Sequence, residues 1–394
     1  MRTIASITKT QPHEPVFAFR RHALIKAAEY FQQNLNAKML YAVKTNPERH
    51  VLDALAAQGV NSFDVASIYE IEAVKQSAPQ AELYFMHPVK SIFAIQEAYF
   101  KHKVRHFAFD CLDELHKILR ATNEAKDLCL HLRLTIPNNF SELTLSEKFG
   151  ASLQEAPAIL KTVRQFVQKL GVTFHVGSQC MHPDAYRIAI RMVKKVLDKA
   201  AVNIEYFNVG GGFPSIYPGM TPPPIKMFFD AIHQEFEKVR KDRPGLILLS
   251  EPGRAITAES ASLIVRVELR KANKLYINDG TYGALFDAGM PNFIFPVQLI
   301  GRSKDSKSDL QPFSFYGPTC DSIDYMKGPF YLPNDIEMGE YIEIGQIGAY
   351  GRTLATGFNG FRQKRGFVEV NDEPLMSMYE LNSTSAQALE TIAA

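Results

Sequence analysis

Eight short apolar, β-prone runs separated by amphipathic stretches constrain this chain more than any other feature of its sequence. The runs cover residues 37–43, 61–65, 82–86, 106–109, 128–134, 171–176, 204–209 and 246–249. Apolar residues at helical spacing lead into the first run at 19–34 and fall between later runs, as at 47–57, 67–76, 113–121, 184–199 and 224–240. Eight strand-helix units in about 240 residues match the size and period of a (β/α)8 barrel. A doubly wound open sheet shows fewer strands and a different opening glycine pattern.

After residue 258 the helical alternation stops. The segments SLIVRVELR, KLYIND, FPVQLIG, FSFYG, EYIEIG and GFVEV read as strands joined by Gly, Pro and Asn turns. The expected organisation is therefore a barrel over 19–258 and a mostly β domain over 259–394 together with 1–18. A chain of 394 residues exceeds what one hydrophobic core usually organises, which fits two domains. The polar stretch 302–311 reads as a mobile loop or as an ordered surface connection.

Net charge decides against one class of partner. With 44 Lys and Arg against 42 Asp and Glu, there is no broad positive field for phosphate backbones, so nucleic acid is not expected. The opening MRTIASITKTQPHEP lacks an apolar stretch long enough for a signal peptide, and no later run approaches the roughly 18 apolar residues of a membrane span. A cytoplasmic location is the expectation. The cysteines at 111, 129, 180 and 320 are far apart and form no C-x-x-C pair, so neither a zinc site nor a disulfide framework is suggested.

In a (β/α)8 barrel the reactive groups sit where strands end. Here Lys44 follows the first run, Asp64 lies in the second, Arg133 in the fifth and His175 in the sixth; Gly210, Gly211 and Gly212 follow the seventh, and Glu251 and Arg254 the eighth. A desolvated strand-end lysine near a second cation suits a Schiff-base nucleophile, and equally an interior lysine paired with Asp64. The glycine run leaves N–H groups open to a phosphate, or makes a plain tight turn. Glu251 and Arg254 pair either with a ring nitrogen and a phosphate or in a structural ion pair. His175 either stacks on a flat ring or is a satisfied core histidine.

Taken together, YAVKTN, FDVAS, KFGA, HVGSQ, VGGGFP, SEPGRA, NDGTYG, GPTCDSID and GAYG followed by FNGF resemble the fold-type III pyridoxal-phosphate decarboxylases, most closely the ornithine decarboxylases. The motifs run in the family's order across nearly the whole chain. The resemblance implies an alanine-racemase-type barrel with a β domain and pyridoxal 5'-phosphate as cofactor. Lys44 would hold the cofactor covalently, supported by Asp64 and Arg133, with His175 stacked on its ring and Glu251 paired with the ring nitrogen. Ser178, Gly210 to Gly212, Arg254 and Tyr350 would contact its phosphate. A carboxylate at the ring nitrogen favours decarboxylation over racemisation, since racemases of this fold type place an arginine there.

The same resemblance makes Cys320 the proton donor and Asp321 the partner of a distal ammonium, both reaching across from the second subunit of a homodimer. It points to L-ornithine, with putrescine as product and polyamine biosynthesis as context; lysine, or a dual specificity yielding cadaverine, is the runner-up. Diaminopimelate-cleaving relatives carry a glutamate after this cysteine, whereas here Asp321 follows it. Asp287 is a candidate second acidic contact, although its segment is shorter than usual, and Phe286 stands where a tyrosine is often found. A catalytically silent homologue serving as a binding regulator is the alternative of another class.

Overall fold

In the computed structural model, which describes residues 2–136, 141–143, 148–302, 308–361 and 366–379, the chain divides into two compact units. One comprises residues 28–214 and 222–253. The other comprises 1–27, 215–221 and 254–394.

The first unit is an eight-stranded parallel barrel. Its first strand is split into Lys38–Met39 and Tyr41–Ala42. The remaining strands are Ser62–Val65, Glu82–Phe85, His106–Phe109, Cys129–Arg133, Lys169–Thr173, Tyr206–Asn208 and Ile247–Ser250. Tyr41–Ala42 pairs with the second strand and Lys38–Met39 with the eighth, so the two halves of one strand close the sheet. The Leu40 N–H between them donates to the Ser250 carbonyl at 2.8 Å. All eight runs expected from the sequence are present.

Helices cover this barrel because their apolar residues repeat every three or four positions. Asp184–Ala200 buries Tyr186, Ala189, Ile190, Val193, Val196 and Leu197, and it stops where Ala201 turns left-handed at φ 51°. Ile225–Arg240 buries Phe228, Phe229, Ile232, Phe236 and Val239. The helix Ile68–Ser77 begins at Ser67, whose hydroxyl accepts from the Glu70 N–H.

Strand alternation layers the residues of one parity along the barrel. At the strands' N-terminal ends they are polar: Lys38, Glu82, His106 and Cys129. Leu40, Tyr84, Met86, Ala108 and Leu249 then form a buried cluster that also takes in Cys129 and Tyr206. At the C-terminal ends come Asp64, Arg133, Asn208 and Glu251.

The second unit is mostly β, as the sequence suggests. Its sheet runs Val297–Leu299, Tyr341–Ile344, Ala261–Lys271, Lys274–Ile277, Leu310–Tyr316, Tyr325–Pro333. Val16–Phe19 joins it antiparallel to Ala261–Lys271 and parallel to Gly366–Glu369. Two of these strands were not expected. Tyr325–Pro333 alternates between buried and exposed residues, but its Gly328-Pro329 pair reads as a break, a pair tolerated here at the end of the sheet order. Val16–Phe19 is buried throughout and shows no alternation. Of the polar stretch 302–311, residues 303–307 lie outside the described residues, and 310–311 belong to the strand Leu310–Tyr316.

A fully buried guanidinium anchors that sheet. Arg20 donates to Glu343 at 2.5 Å, to the Ser262 hydroxyl at 2.7 Å and to the Asp372 carbonyl at 2.8 Å. Ser262 donates in turn to the same Glu343 oxygen at 2.6 Å. Removing one partner of such a pair strands the other charge without solvent. Glu343→Leu is therefore expected to cost about 3–5 kcal/mol in denaturant unfolding, with most of the loss recovered in the Arg20→Met/Glu343→Leu double variant. An additive double variant would refute the pairing.

Candidate active site in the barrel mouth

A cavity of about 390 Å³ opens at the C-terminal ends of the barrel strands. Lys44, Asp64, Arg133, His175 and Glu251 all line it, so five residues singled out in the sequence converge on one space. Lys44 follows the first strand, Arg133 ends the fifth, His175 lies two residues past the sixth and Glu251 immediately follows the eighth. Glu70, His87, Lys148 and Phe149 also line it and were not singled out as site residues. Lys148 and Phe149 belong to the KFGA motif; Glu70 reads in sequence only as an N-terminal helix residue, and its carboxylate accepts from the Ala66 N–H at 2.6 Å.

Burial dominates the electrostatics. It raises the pKa of Asp64 well above 3.8, with repulsion from Glu251 adding to the shift and attraction from Lys44 and Arg133 opposing it. Glu251 is raised from 4.5 by burial as well, countered by Arg133, Lys44 and a hydrogen bond from the Asn208 amide at 2.6 Å. His175 Nδ1 accepts from the Gly177 N–H at 3.0 Å, which leaves the ring proton on Nε2. Burial, with Lys44 and Arg133 nearby, drives its pKa well below 6.5, so the imidazole is neutral.

The three glycines after the seventh strand have a structural reason that the sequence does not reveal. A Cβ at Gly210 would lie 2.0 Å from the Phe174 carbonyl oxygen, one at Gly211 2.5 Å from that of Glu251, and one at Gly212 2.4 Å from that of Gly177. Gly210 and Gly212 also have φ of +69° and +104°. The loop thus packs backbone against backbone. Among the described residues, the N–H groups of Gly211 and Gly212 donate to no protein acceptor, although Gly211 is buried. A buried unpaired donor calls for an acceptor, and a phosphate oxygen meets that need.

The remaining expected site residues have surroundings of their own. Ser178 begins the short strand Ser178–Cys180, paired with Ser141–Leu143. In the β unit, Arg254 donates to the Tyr217 hydroxyl at 2.9 Å and sits 3.0 Å from Asp287, with its guanidinium 4.9 Å from the centre of the Tyr350 ring. Its Nε is buried with no partner among the described residues. Tyr350 holds a left-handed φ of 64°, unusual for an aromatic residue. Asp287 is thus engaged by a guanidinium within its own unit, and Phe286 opens the short helix Phe286–Gly289 beside it. Cys320 and Asp321 are at the surface of the chain, Cys320 exposed. The Tyr282 hydroxyl donates to Asp321 at 2.7 Å, and the Cys320 N–H to Asn359 Oδ1 at 2.9 Å.

The donor set in the mouth fits pyridoxal phosphate: an amine, a buried carboxylate for a ring nitrogen, a neutral flat imidazole and unpaired amides for a phosphate. Two outcomes follow. Gly210→Ala is expected to lose cofactor retention on gel filtration, because neither the carbonyl 2.0 Å away nor the positive φ accommodates a methyl. In cofactor-stripped protein, the folded state keeps protons on Asp64 and Glu251 that the unfolded chain releases above its ordinary values of 3.8 and 4.5. Their contribution to stability therefore falls as pH rises from those values to the raised ones. Unfolding midpoints of Asp64→Asn/Glu251→Gln should show a shallower decline over that range, and parallel profiles would contradict the assignment.

Known proteins resemble this chain over most of its length. The pyridoxal-dependent decarboxylase, pyridoxal binding domain family matches residues 21–258. A probable ornithine decarboxylase of Dictyostelium discoideum is 31% identical over 387 residues, 91% of this chain and 80% of its own length. A lysine/ornithine decarboxylase of Selenomonas ruminantium is 29% identical over 334 residues, 82% of this chain and 81% of its own. Among solved structures, the lysine/ornithine decarboxylase of Vibrio vulnificus complexed with putrescine superimposes with a TM-score of 0.78 at 27% identity, covering 93% of this chain and 96% of that one. The chain belongs to the fold-type III pyridoxal-dependent amino-acid decarboxylases, and its cofactor is pyridoxal 5'-phosphate.

Proposed function

We propose that this protein decarboxylates a small basic amino acid, with L-ornithine the leading substrate and putrescine and CO2 the products. The observation that carries the reading is the convergence of Lys44, Asp64, Arg133, His175 and Glu251 on one cavity, with Asp64, His175 and Glu251 buried. When bound, pyridoxal phosphate supplies a sink for the electron pair left on the α-carbon as CO2 departs. Lys44 is the residue that holds it covalently. Glu251, steadied by Asn208, would pair with its ring nitrogen, and the neutral imidazole of His175 would lie against its ring. Asp64 and Arg133 balance the charge around Lys44. Ser178 and Gly210 to Gly212 would hold the phosphate, the role that the family resemblance also gives to Arg254 and Tyr350.

Cys320 returns the proton to the α-carbon, and Asp321 meets the distal ammonium, each supplied by the other subunit of a homodimer. The hydrogen bonds from Tyr282 and to Asn359 fix the orientation of this pair. An aspartate suits an ammonium tail better than a carboxylate tail. The relatives named for lysine as well as ornithine support lysine or dual specificity as the second reading, because one methylene is discriminated by only about 1–3 kcal/mol. A silent binding homologue has no need of the full charged set in the mouth.

A steady-state comparison of ornithine, lysine, arginine and diaminopimelate, following CO2 and diamine, tests the substrate; a kcat/KM for lysine above that for ornithine reverses the order. Lys44→Ala should abolish both turnover and the yellow absorbance of the lysine-bound cofactor, and a colourless wild-type protein indifferent to added cofactor would favour the silent homologue. Cys320→Ala should raise the share of aldehyde by-product, so an unchanged product ratio removes Cys320 from the donor role.

A further inference from the structure

The end of the barrel opposite the cavity holds a second group of chemistry-bearing side chains that the decarboxylation reading leaves without a task. His106 opens the fourth strand, and Cys129 and His131 are the first and third residues of the fifth. Alternation sends Cys129 and His131 to the same side of their strand, and the parallel register sets His106 directly beside Cys129. One donor atom from each of the three residues lies within 4.8 Å of the other two, and all three are buried. His106 Nδ1 is 3.0 Å from His131 Nε2, and Cys129 Sγ is 3.5 Å from that same nitrogen.

We infer that His106, Cys129 and His131 form a binding site for a single zinc-class divalent ion in the floor of the barrel. Zinc bonds of about 2.0–2.1 Å to imidazole and about 2.3 Å to thiolate put donor atoms roughly 3.3–3.7 Å apart around a tetrahedral ion. The spacings of 3.0 and 3.5 Å need only a few tenths of an ångström of adjustment. Two imidazoles and a thiolate form a borderline-soft donor set that selects zinc over magnesium or calcium. A water or small anion occupies the fourth position.

The surroundings are arranged as a metal ligand's would be. His106 Nε2 lies 3.0 Å from Glu82, which also pairs with Lys38. A carboxylate on the far nitrogen fixes the tautomer so that Nδ1 presents its lone pair to the ion. Glu82 is held down to about 2, chiefly by that hydrogen bond with His106, so it stays a carboxylate at neutral pH. Gly171, the register partner of His131, leaves space for the ring: a Cβ there would lie 2.6 Å from His131 Nδ1. Burial lowers the pKa of both imidazoles, which keeps them neutral and able to coordinate.

The test is elemental analysis of the holoenzyme produced in zinc-supplemented medium and purified without a metal-affinity tag. About one zinc per chain is expected, falling at least tenfold in Cys129→Ala and in His106→Gln, while both variants keep the cofactor absorbance and decarboxylase activity that report a folded barrel. Protein produced in cobalt-supplemented medium should show tetrahedral d–d bands that Cys129→Ala lacks. Zinc-free wild-type holoenzyme overturns the proposal, as does zinc retained in Cys129→Ala, which would place the ion on the exposed Cys111 or Cys320. If Cys129→Ala does not fold, the wild-type zinc content together with Cys129→Ser decides.

Discussion

Two buried carboxyl groups share one pocket at the barrel mouth with a guanidinium and an amine, and much of the architecture exists to make that combination tolerable. Each ion taken from water alone costs several kcal/mol, and mutual attraction repays this only when the groups are fixed at close quarters. Strand ends do the fixing. Arg133 and Glu251 come from the fifth and eighth strands, Asp64 from the second, and the Asn208 amide ties Glu251 down from the seventh. The apolar layer of Leu40, Tyr84, Met86, Ala108 and Leu249 lies beneath them and gives the mouth a low-dielectric base.

That low dielectric serves reactivity as well as shape. A neutral imidazole at His175 offers a flat, uncharged surface in the mouth, one that an aromatic ring can cover without burying a charge. The glycine loop brings N–H groups to a place where no side chain intervenes, at the cost of a backbone so tightly packed that a single methyl does not fit.

Much of this was legible in the sequence because barrel strands declare themselves. Eight apolar runs alternating with amphipathic helices leave little choice of topology, and the residues ending those runs are then brought together by the fold itself. Lys44, Asp64, Arg133, His175 and Glu251 were found that way. Glu70 and Lys148 were not, since one looks like a helix cap and the other follows a stretch with no periodicity. Neither was the role of the three glycines, which depends on carbonyls from Phe174, Gly177 and Glu251, distant in sequence. The His106, Cys129 and His131 group was invisible for the same reason. No spacing rule for zinc ligands anticipates two adjacent parallel strands, and scanning for C-x-x-C pairs pointed away from a metal. In the β unit, the pairing of Arg254 with Asp287 could not be foreseen from residues 33 positions apart.

The split first strand carries a consequence of its own. Its two short halves lie on opposite sides of the seam, one bonded to the last strand and one to the second, and Lys44 follows two residues later. Joining the ends of the sheet and bringing the amine to the carboxylates across the mouth are therefore a single event. A sheet left unzipped at that seam keeps its other strand pairings but not the convergence of side chains at the mouth. Occupancy by cofactor thus reads out whether the circle has been completed, and an occupied protein resists opening at that seam, where each half of the strand offers only two register pairs.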